Sequence, residues 1–273
     1  MGERDNGAAM LAARLGDAIE KAARGEVAVL PFLTPAQRKQ AERELRVRGA
    51  WEAAWFFGGY GTAERACLFL LPDYLTLLLE KIPTNCEDEA VLALIEEDAV
   101  RAVSAVRITG SGFRKLTHRD YLGAILGLGL SRDALGDLAV QNECEAVLFC
   151  PQTLATFLVE SLSKVGSDTV KCRFYTLDAS FTDGKVYAPI SSTVASARLD
   201  CVIASLTGLS REDSQSAIRS GLVEVDFEPC ERVDLTLTPP ATISARGFGR
   251  FILRAFDGET KKGRLRLRAD KLI

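Results

Sequence analysis

His118, Arg119 and Asp120 form a triplet that contains the only histidine in the chain. A base, a cation and a carboxylate at successive positions could move a proton, hold a phosphate or start a helix. A kinase catalytic loop needs an Asn five residues after the Asp to hold magnesium. Ile125 stands there, no Asp-Phe-Gly follows, and no Gly-rich loop with a strand lysine precedes. A pseudouridine-synthase pattern needs Leu between Arg and Asp and then Thr-Ser-Gly, whereas Tyr121 and Leu122 follow Asp120 directly. Both enzymatic readings fail on the partners. The local physics reads instead as a helix start, with Thr117 as cap and Asp120, three residues on, reaching back in a capping box. His118 and Arg119 then stand exposed at the positive end of that helix, where they are candidates for contacting phosphate.

A second candidate lies at the C-terminal end. From Ala241 onward the chain holds nine basic and three acidic residues. From Val194 onward the count is 13 against 11, while the remainder carries 21 against 26. A locally basic tail on a protein of net charge −3 suggests one polyanion-facing surface and argues against a generally adhesive protein. It also fits a merely solvated face.

Metal and cofactor chemistry find little support. Seven cysteines at 67, 86, 144, 150, 172, 201 and 230 show no C-x-x-C spacing, and one histidine does not complete a zinc set. No metal, cofactor or disulfide framework is expected. Cys67, Cys150 and Cys172 lie in apolar or alternating runs and read as buried thiols, which suits a reducing cytoplasm. The N-terminus has no apolar core of a secretory signal or membrane anchor, and Asn6 speaks against myristoylation. No membrane partner is expected.

The elements that would position these residues follow from periodicity and breakers. Residues 8–23 have helical spacing and Gly25 stops them; TPAQRKQAERELRV starts a second helix at Thr34-Pro35. WEAAWFFGGY and RACLFLLP read as strands around a Gly-rich turn. IPTNCEDE, at 82–89, reads as a boundary. SAVRIT (strand), THRDYLGAILGLGL (helix), GDLAVQ and EAVLFC (strands), PQTLATFLVESLSKVG (helix, with Gly166 past its end) and TVKCRFYTL (strand) give β-α-β-β-α-β, the ferredoxin-like order that RNA-recognition motifs share. Only Phe149 is available as a stacking aromatic on its central strands, so the usual sheet face is not the expected RNA site. Gly123, Gly127 and Gly129 cost about 1 kcal/mol each relative to Ala, and a closely approaching strand is the expected compensation. After a spacer at 178–192 come two short helices, ASARLDCVIASLTG and LSREDSQSAIRSG, the latter capped by Ser210 and stopped by Gly221. Strands follow at LVEVDF, TISARG, GRFILRAF and RLRLRA, the last two joined by DGETKKG.

The blocks WFFGGYGTAER…LLPDY, LTHRDYLGAILGLGL, SSTVASARLDCVIASLTGLSR…IRSGLVEVD and ISARGFGRFIL…GETKKGRLRL occur in order from about residue 32 to about 268, and in them the chain resembles the YlmH family of bacterial RNA-binding proteins. The resemblance implies an α+β protein with an N-terminal α/β module (1–84), a ferredoxin-like, RNA-recognition-motif-like RNA-binding domain (85–180) and a C-terminal αL RNA-binding domain of ribosomal-protein-S-four type (190–273). It implies a non-enzymatic, monomeric factor on ribosomal RNA of the large subunit, similar in role to rescue factors of the heat-shock-protein-fifteen type that act on subunits obstructed by peptidyl-tRNA. Family members are also linked to cell-division proteins and, in cyanobacteria, to photosystem assembly. Carried over by motif, the RNA-facing positions are Ser196, Arg198 and Asp200 on the first C-terminal helix and Ser210, Arg211, Gln215 and Arg219 on the second. Arg246 and Arg250 join them from the Arg-Gly-Phe-Gly-Arg segment, and Lys261, Lys262 and Arg264 from the basic turn. Arg forks and Lys ammonium groups suit phosphates; Asp200 is expected to orient Arg198 without touching RNA. Glu212 and Asp213 depart from the family, which often has a lysine there. They favour the helix end but repel phosphate.

Two other classes stand beside the RNA-binding factor: a pseudouridine-synthase-like enzyme that grips RNA through its C-terminal domain, and a cell-division adaptor whose RNA binding is incidental.

Overall fold

The structure, a computed structural model, describes residues 2–79 and 87–273. Helices and strands mix throughout, an α+β protein. The chain divides into two compact units, Met1–Gly184 and Lys185–Ile273. Of the boundary expected at 82–89, residues 82–86, with the split at 84/85 and Cys86, lie outside the described residues.

The first unit begins with α1 (Gly2–Ala23), β1 (Ala28–Leu33), α2 (Pro35–Val47), β2 (Ala54–Phe57), β3 (Ala66–Leu70) and α3 (Asp73–Leu79). The three strands make an antiparallel sheet with β3 in the centre. Side chains alternate across a strand, and β3 buries both sets. Leu68 and Leu70 pack with Leu11, Leu15 and Leu45 of α1 and α2, while Cys67 and Phe69 face the opposite way. Thr34 and Gln37 close a reciprocal capping box at the start of α2.

The unit continues with α4 (Glu87–Leu94), α5 (Glu96–Ala102), β4 (Ser104–Thr109), α6 (His118–Gly127), β5 (Leu138–Asn142), β6 (Glu145–Cys150), α7 (Gln152–Ser161), β7 (Lys164–Val165), β8 (Asp168–Thr169) and β9 (Lys171–Tyr175). Strands β5, β6, β4 and β9 stand in that spatial order, each antiparallel to its neighbour. One face, with Val106, Ile108, Ala146 and Leu148, is covered by Tyr121 and Ile125 of α6 and Ala155 and Leu158 of α7. The other, with Ala105, Val147 and Phe149, is buried against Phe32, Phe69, Ile95 and Ala99. Gly59 permits this approach: at φ 99° a Cβ there would lie 2.2 Å from the Phe149 ring. The face on which an RNA-recognition motif stacks its bases is therefore occupied within the unit, and Phe149 is fully buried.

Three expectations are corrected by the structure. Helix α6 ends at Gly127, and Gly129, at φ 85°, lies past its end. Among the described residues no strand lies against Gly123, Gly127 or Gly129, since a Cβ on any of them would meet nothing within 4 Å. Helix α7 stops at Ser161, so Gly166 is not its stop but the φ 58° turn of the small hairpin β7–β8. Helices α4 and α5 are additional elements that the sequence reading did not assign.

The second unit holds β10 (Tyr187–Val194), α8 (Leu199–Thr207), α9 (Arg211–Arg219), β11 (Val223–Val225), β12 (Glu228–Pro229), β13 (Ala241–Ala245), β14 (Gly249–Glu259) and β15 (Leu265–Leu272). Its six-stranded antiparallel sheet runs β10-β15-β14-β13-β11-β12. Part of the expected spacer is thus a strand: β10 pairs with β15 from Tyr187–Leu272 to Val194–Leu265. Pro189 argues against a central strand but is tolerated on this edge. The core joins Val202, Ile203 and Leu206 of α8 and Ile218 of α9 to Ile243, Phe251, Leu253 and Leu267 of the sheet.

Candidate nucleic-acid interface

In the second unit three of the carried-over residues, Arg198, Arg211 and Gln215, gather around one carboxylate. Helix α8 begins at Leu199, so Ser196 precedes it and Arg198 is its N-cap; the expectation that both lie on the helix is corrected. Gly208, at φ 77°, closes α8 in the left-handed region and lets the chain fold back into α9. Ser210 caps α9, accepting from the Asp213 amide at 3.0 Å and donating to Asp213 Oδ2 at 2.6 Å.

Asp200, on the first turn of α8, has no exposed side-chain surface. It accepts from Arg198 Nε and Nη2 at 3.1 and 3.2 Å, from Arg211 Nε at 3.1 Å and from Gln215 Nε2 at 2.8 Å. Burial alone would raise its pKa. The hydrogen bonds from Arg198, Gln215 and Arg211 outweigh it and hold the carboxyl well below the usual carboxylate range. A permanently charged, buried Asp200 therefore fixes two guanidinium groups beside the N-terminal ends of two helices. The side chains of Arg198 and Arg211 are still 38% and 61% exposed. Arg211 meets Asp200 through Nε alone. Ser196 lies nearby, with its hydroxyl 3.6 Å from Cys201 Sγ.

The other carried-over positions stand elsewhere on this unit. Arg219 is exposed at the last turn of α9, and Arg246 is exposed in the β13–β14 turn. Arg250 lies over the Phe227 ring at 5.1 Å. Lys261 and Lys262 are exposed at the β14–β15 turn, which is closed by a Gly263 amide bond to Thr260 O at 2.9 Å. Arg264 is anchored on the edge strand by bonds to Thr193 Oγ1 and O at 3.1 and 2.7 Å.

The sequence reading missed a row of arginines on the outer sheet face. Leu267 and Ala269 point into the core, so Arg266 and Arg268 point away from it. Arg268 pairs with Asp257 at 2.9 Å and Arg254 with Asp270 at 2.7 Å; Arg266 has no partner among the described residues. The alternation in RLRLR carries this signal. It served to assign a strand, and the faces of that strand went unread.

His118 and Arg119 lie in the first unit, exposed in the first turn of α6. The expected capping box is present: the Thr117 amide donates to Asp120 Oδ2 at 2.8 Å, and the Asp120 amide to Thr117 Oγ1 at 3.4 Å. Bonds from Thr117 hold the Asp120 pKa below its ordinary value. Partial desolvation and the nearby Arg132 lower that of His118. Among the described residues no group of three or more His, Cys, Asp or Glu is placed to hold a metal. No helix among them is long and apolar enough to cross a membrane.

Comparison with known proteins sets this geometry in context. Residues 102–178 match the family model described as "Putative RNA-binding domain in YlmH". The chain is 32% identical over 215 residues to the Ribosome-associated protein quality control protein P2 of Bacillus subtilis (strain 168), covering 78% of this chain and 75% of that protein. The solved structure of cell division protein ylmH from Streptococcus pneumoniae aligns with a TM-score of 0.48 at 20% identity, over 64% of this chain and 93% of that one. With a relative of this identity matched along most of both lengths, and the family's RNA-binding model matched in the middle, the chain belongs to the YlmH family.

Proposed function

We propose that this protein is a non-enzymatic RNA-binding factor of the large ribosomal subunit that acts in quality control on subunits obstructed by peptidyl-tRNA. The observation that carries the reading is the Asp200 cluster, in which a buried carboxylate presents Arg198 and Arg211 at two helix starts, an arrangement suited to RNA phosphates. The basic β14–β15 turn adds charge, and the name of the Bacillus relative supplies the ribosomal and quality-control context.

The finer fold assignment belongs to the same proposal. The β4-α6-β5-β6-α7-β9 order, with the strands arranged fourth, first, third, second, supports a ferredoxin-like domain within 85–180. The α8–α9 hairpin on an antiparallel sheet supports a ribosomal-protein-S-four-type domain at 190–273. An N-terminal module at 1–84 completes the division. The RNA-binding set proposed is Ser196, Arg198, Ser210, Arg211, Gln215, Arg219, Arg246, Arg250, Lys261, Lys262 and Arg264, with His118 and Arg119 from the first unit.

An enzymatic role is disfavoured because Asp120, the natural catalytic candidate, spends its carboxylate on Thr117. Incubating the protein with ribosomal RNA and assaying pseudouridine tests this directly; conversion abolished by Asp120→Asn would replace the proposal with the enzyme. Sedimentation with separated subunits tests the ribosomal part. Recovery with cell-division proteins and no ribosomal RNA would favour the adaptor.

A further inference from the structure

The loop between β4 and α6 carries an aromatic ring held out into solvent. Phe113 is 98% exposed, the most exposed of the large apolar side chains among the described residues. Leaving such a ring in water forfeits its hydrophobic gain, so its surroundings decide whether it is an accident of a slack loop. They show a braced one. The Ser111 amide donates to Asp168 Oδ2 at 3.1 Å, and the Ser111 hydroxyl donates to Asp168 Oδ1 in a short bond. The same hydroxyl accepts from the Phe113 amide at 3.3 Å. Gly110 allows the carboxylate this close, since a Cβ there would stand 2.7 Å from Asp168 Oδ2. On the far side, Arg114 Nη1 donates to Ser167 Oγ at 2.6 Å, and the Leu116 amide to Glu143 O at 2.7 Å beneath a buried Leu116. The small hairpin β7–β8 supplies Ser167 and Asp168, and its first strand falls where the sequence pattern continues α7.

We propose that Phe113 is a base-stacking finger for an unpaired nucleotide of RNA, with Arg114 and Lys115 beside it on the phosphates. The proposal rests on the RNA-binding reading above and adds to it a second contact, of a different chemistry, in the first unit. Three features favour RNA over other partners. The ring is single and flanked in sequence by Gly112, Arg114 and Lys115, whereas a lipid surface or a protein hot spot calls for several apolar side chains together. Residues 110–119 hold three Lys or Arg and no acid. The Lys115–Glu143 pair, at 3.0 Å, is exposed at both ends and costs little to exchange for a phosphate.

The test uses the full chain and three probes: a single-stranded ribo-oligonucleotide, the same sequence as a duplex, and vesicles of phosphatidylserine and phosphatidylcholine. Phe113→Leu, which keeps apolar bulk but not the flat ring, is expected to lose about tenfold in affinity for the single strand. The loss should be equal at every salt concentration, because stacking releases no counterions. Arg114→Ala with Lys115→Ala should instead flatten the salt slope. Phe113→Trp should bind like wild type and show indole quenching on adding single strand but not duplex. Wild-type affinity in Phe113→Leu, with RNA binding otherwise intact, would overturn the finger and leave the RNA-binding reading standing. Failure of the wild type to bind any RNA or subunit would remove both. Vesicle binding lost in Phe113→Leu would assign the ring to lipid and overturn the proposal.

Discussion

Asp200 and Arg211 stand eleven residues apart on different helices, and Arg211 Nε donates to Asp200 Oδ2 at 3.1 Å. The carboxylate is wholly buried and the guanidinium mostly exposed. In the proposed RNA site the acid would act through the arginine it holds, as a positioning residue.

Asp200→Asn tests that role. The amide keeps the shape but weakens charge-assisted bonds, each worth about 1.5–3 kcal/mol. RNA affinity and urea stability should both fall, with the fold retained in circular dichroism. The acid limb follows from the lowered pKa of Asp200: its stabilisation is full above the ordinary carboxylate pKa of about 3.9 and is lost as pH falls through the folded value. The wild type should therefore lose part of its margin over the variant between neutral pH and strong acid. A constant margin would show that the charge contributes nothing.

Glu212 and Asp213 separate into different roles. Asp213 is tied to the Ser210 cap, whereas Glu212 is exposed and has no partner among the described residues. Glu212→Lys should tighten RNA binding and steepen its salt dependence, at a cost of about 0.5 kcal/mol in helix-end stabilisation. Asp213→Lys should cost ~1 kcal/mol at the helix end. Titration at several salt concentrations, with melting curves, separates the two.

At the start of α6, Thr117→Ala should cost about 1 kcal/mol as a lost cap. His118→Ala with Arg119→Ala should leave melting unchanged and reduce association with large subunits. Lowering the pH through the depressed pKa of His118 charges the imidazole, which should strengthen the wild type's binding and leave that of the double variant flat.

Tyr121, on the inner face of α6, is fully buried, and its hydroxyl has no hydrogen-bond partner among the described residues. Removing an unpaired buried polar group relieves its desolvation cost, so Tyr121→Phe should raise stability by about 1 kcal/mol in urea melts. A loss of stability would mean that the hydroxyl is satisfied.

What could be read from sequence was local. The Thr117–Asp120 box, the Ser210 cap and the Gly221 stop each depend on residues within one helical turn, and strands β4, β5, β6 and β9 announce themselves by alternation. The non-local facts were hidden. Pro189 masked β10, because only its place on a sheet edge makes it tolerable. Gly123 and Gly127 suggested a close strand, while the glycines that do admit close neighbours are Gly59 against Phe149 and Gly136, whose Cβ would lie 2.5 Å from the Phe32 ring. At the site, the motifs gave Arg198, Arg211 and Gln215, but their meeting on one buried carboxylate emerges only when α8 and α9 fold together. Arg254, Arg266 and Arg268 went unremarked because strand alternation was used to find elements and not their faces.

The central claim is recognition of obstructed large subunits through RNA. Full-length protein is mixed separately with small subunits, empty large subunits and large subunits carrying peptidyl-tRNA, then pelleted through sucrose at physiological salt. Two RNA-binding regions on one ribosomal surface gain by effective concentration. Occupancy should therefore be highest on the peptidyl-tRNA-loaded large subunit and fall steeply with either Arg211→Ala or the His118/Arg119 double substitution. Equal recovery with all three particles, or none with any, would contradict it.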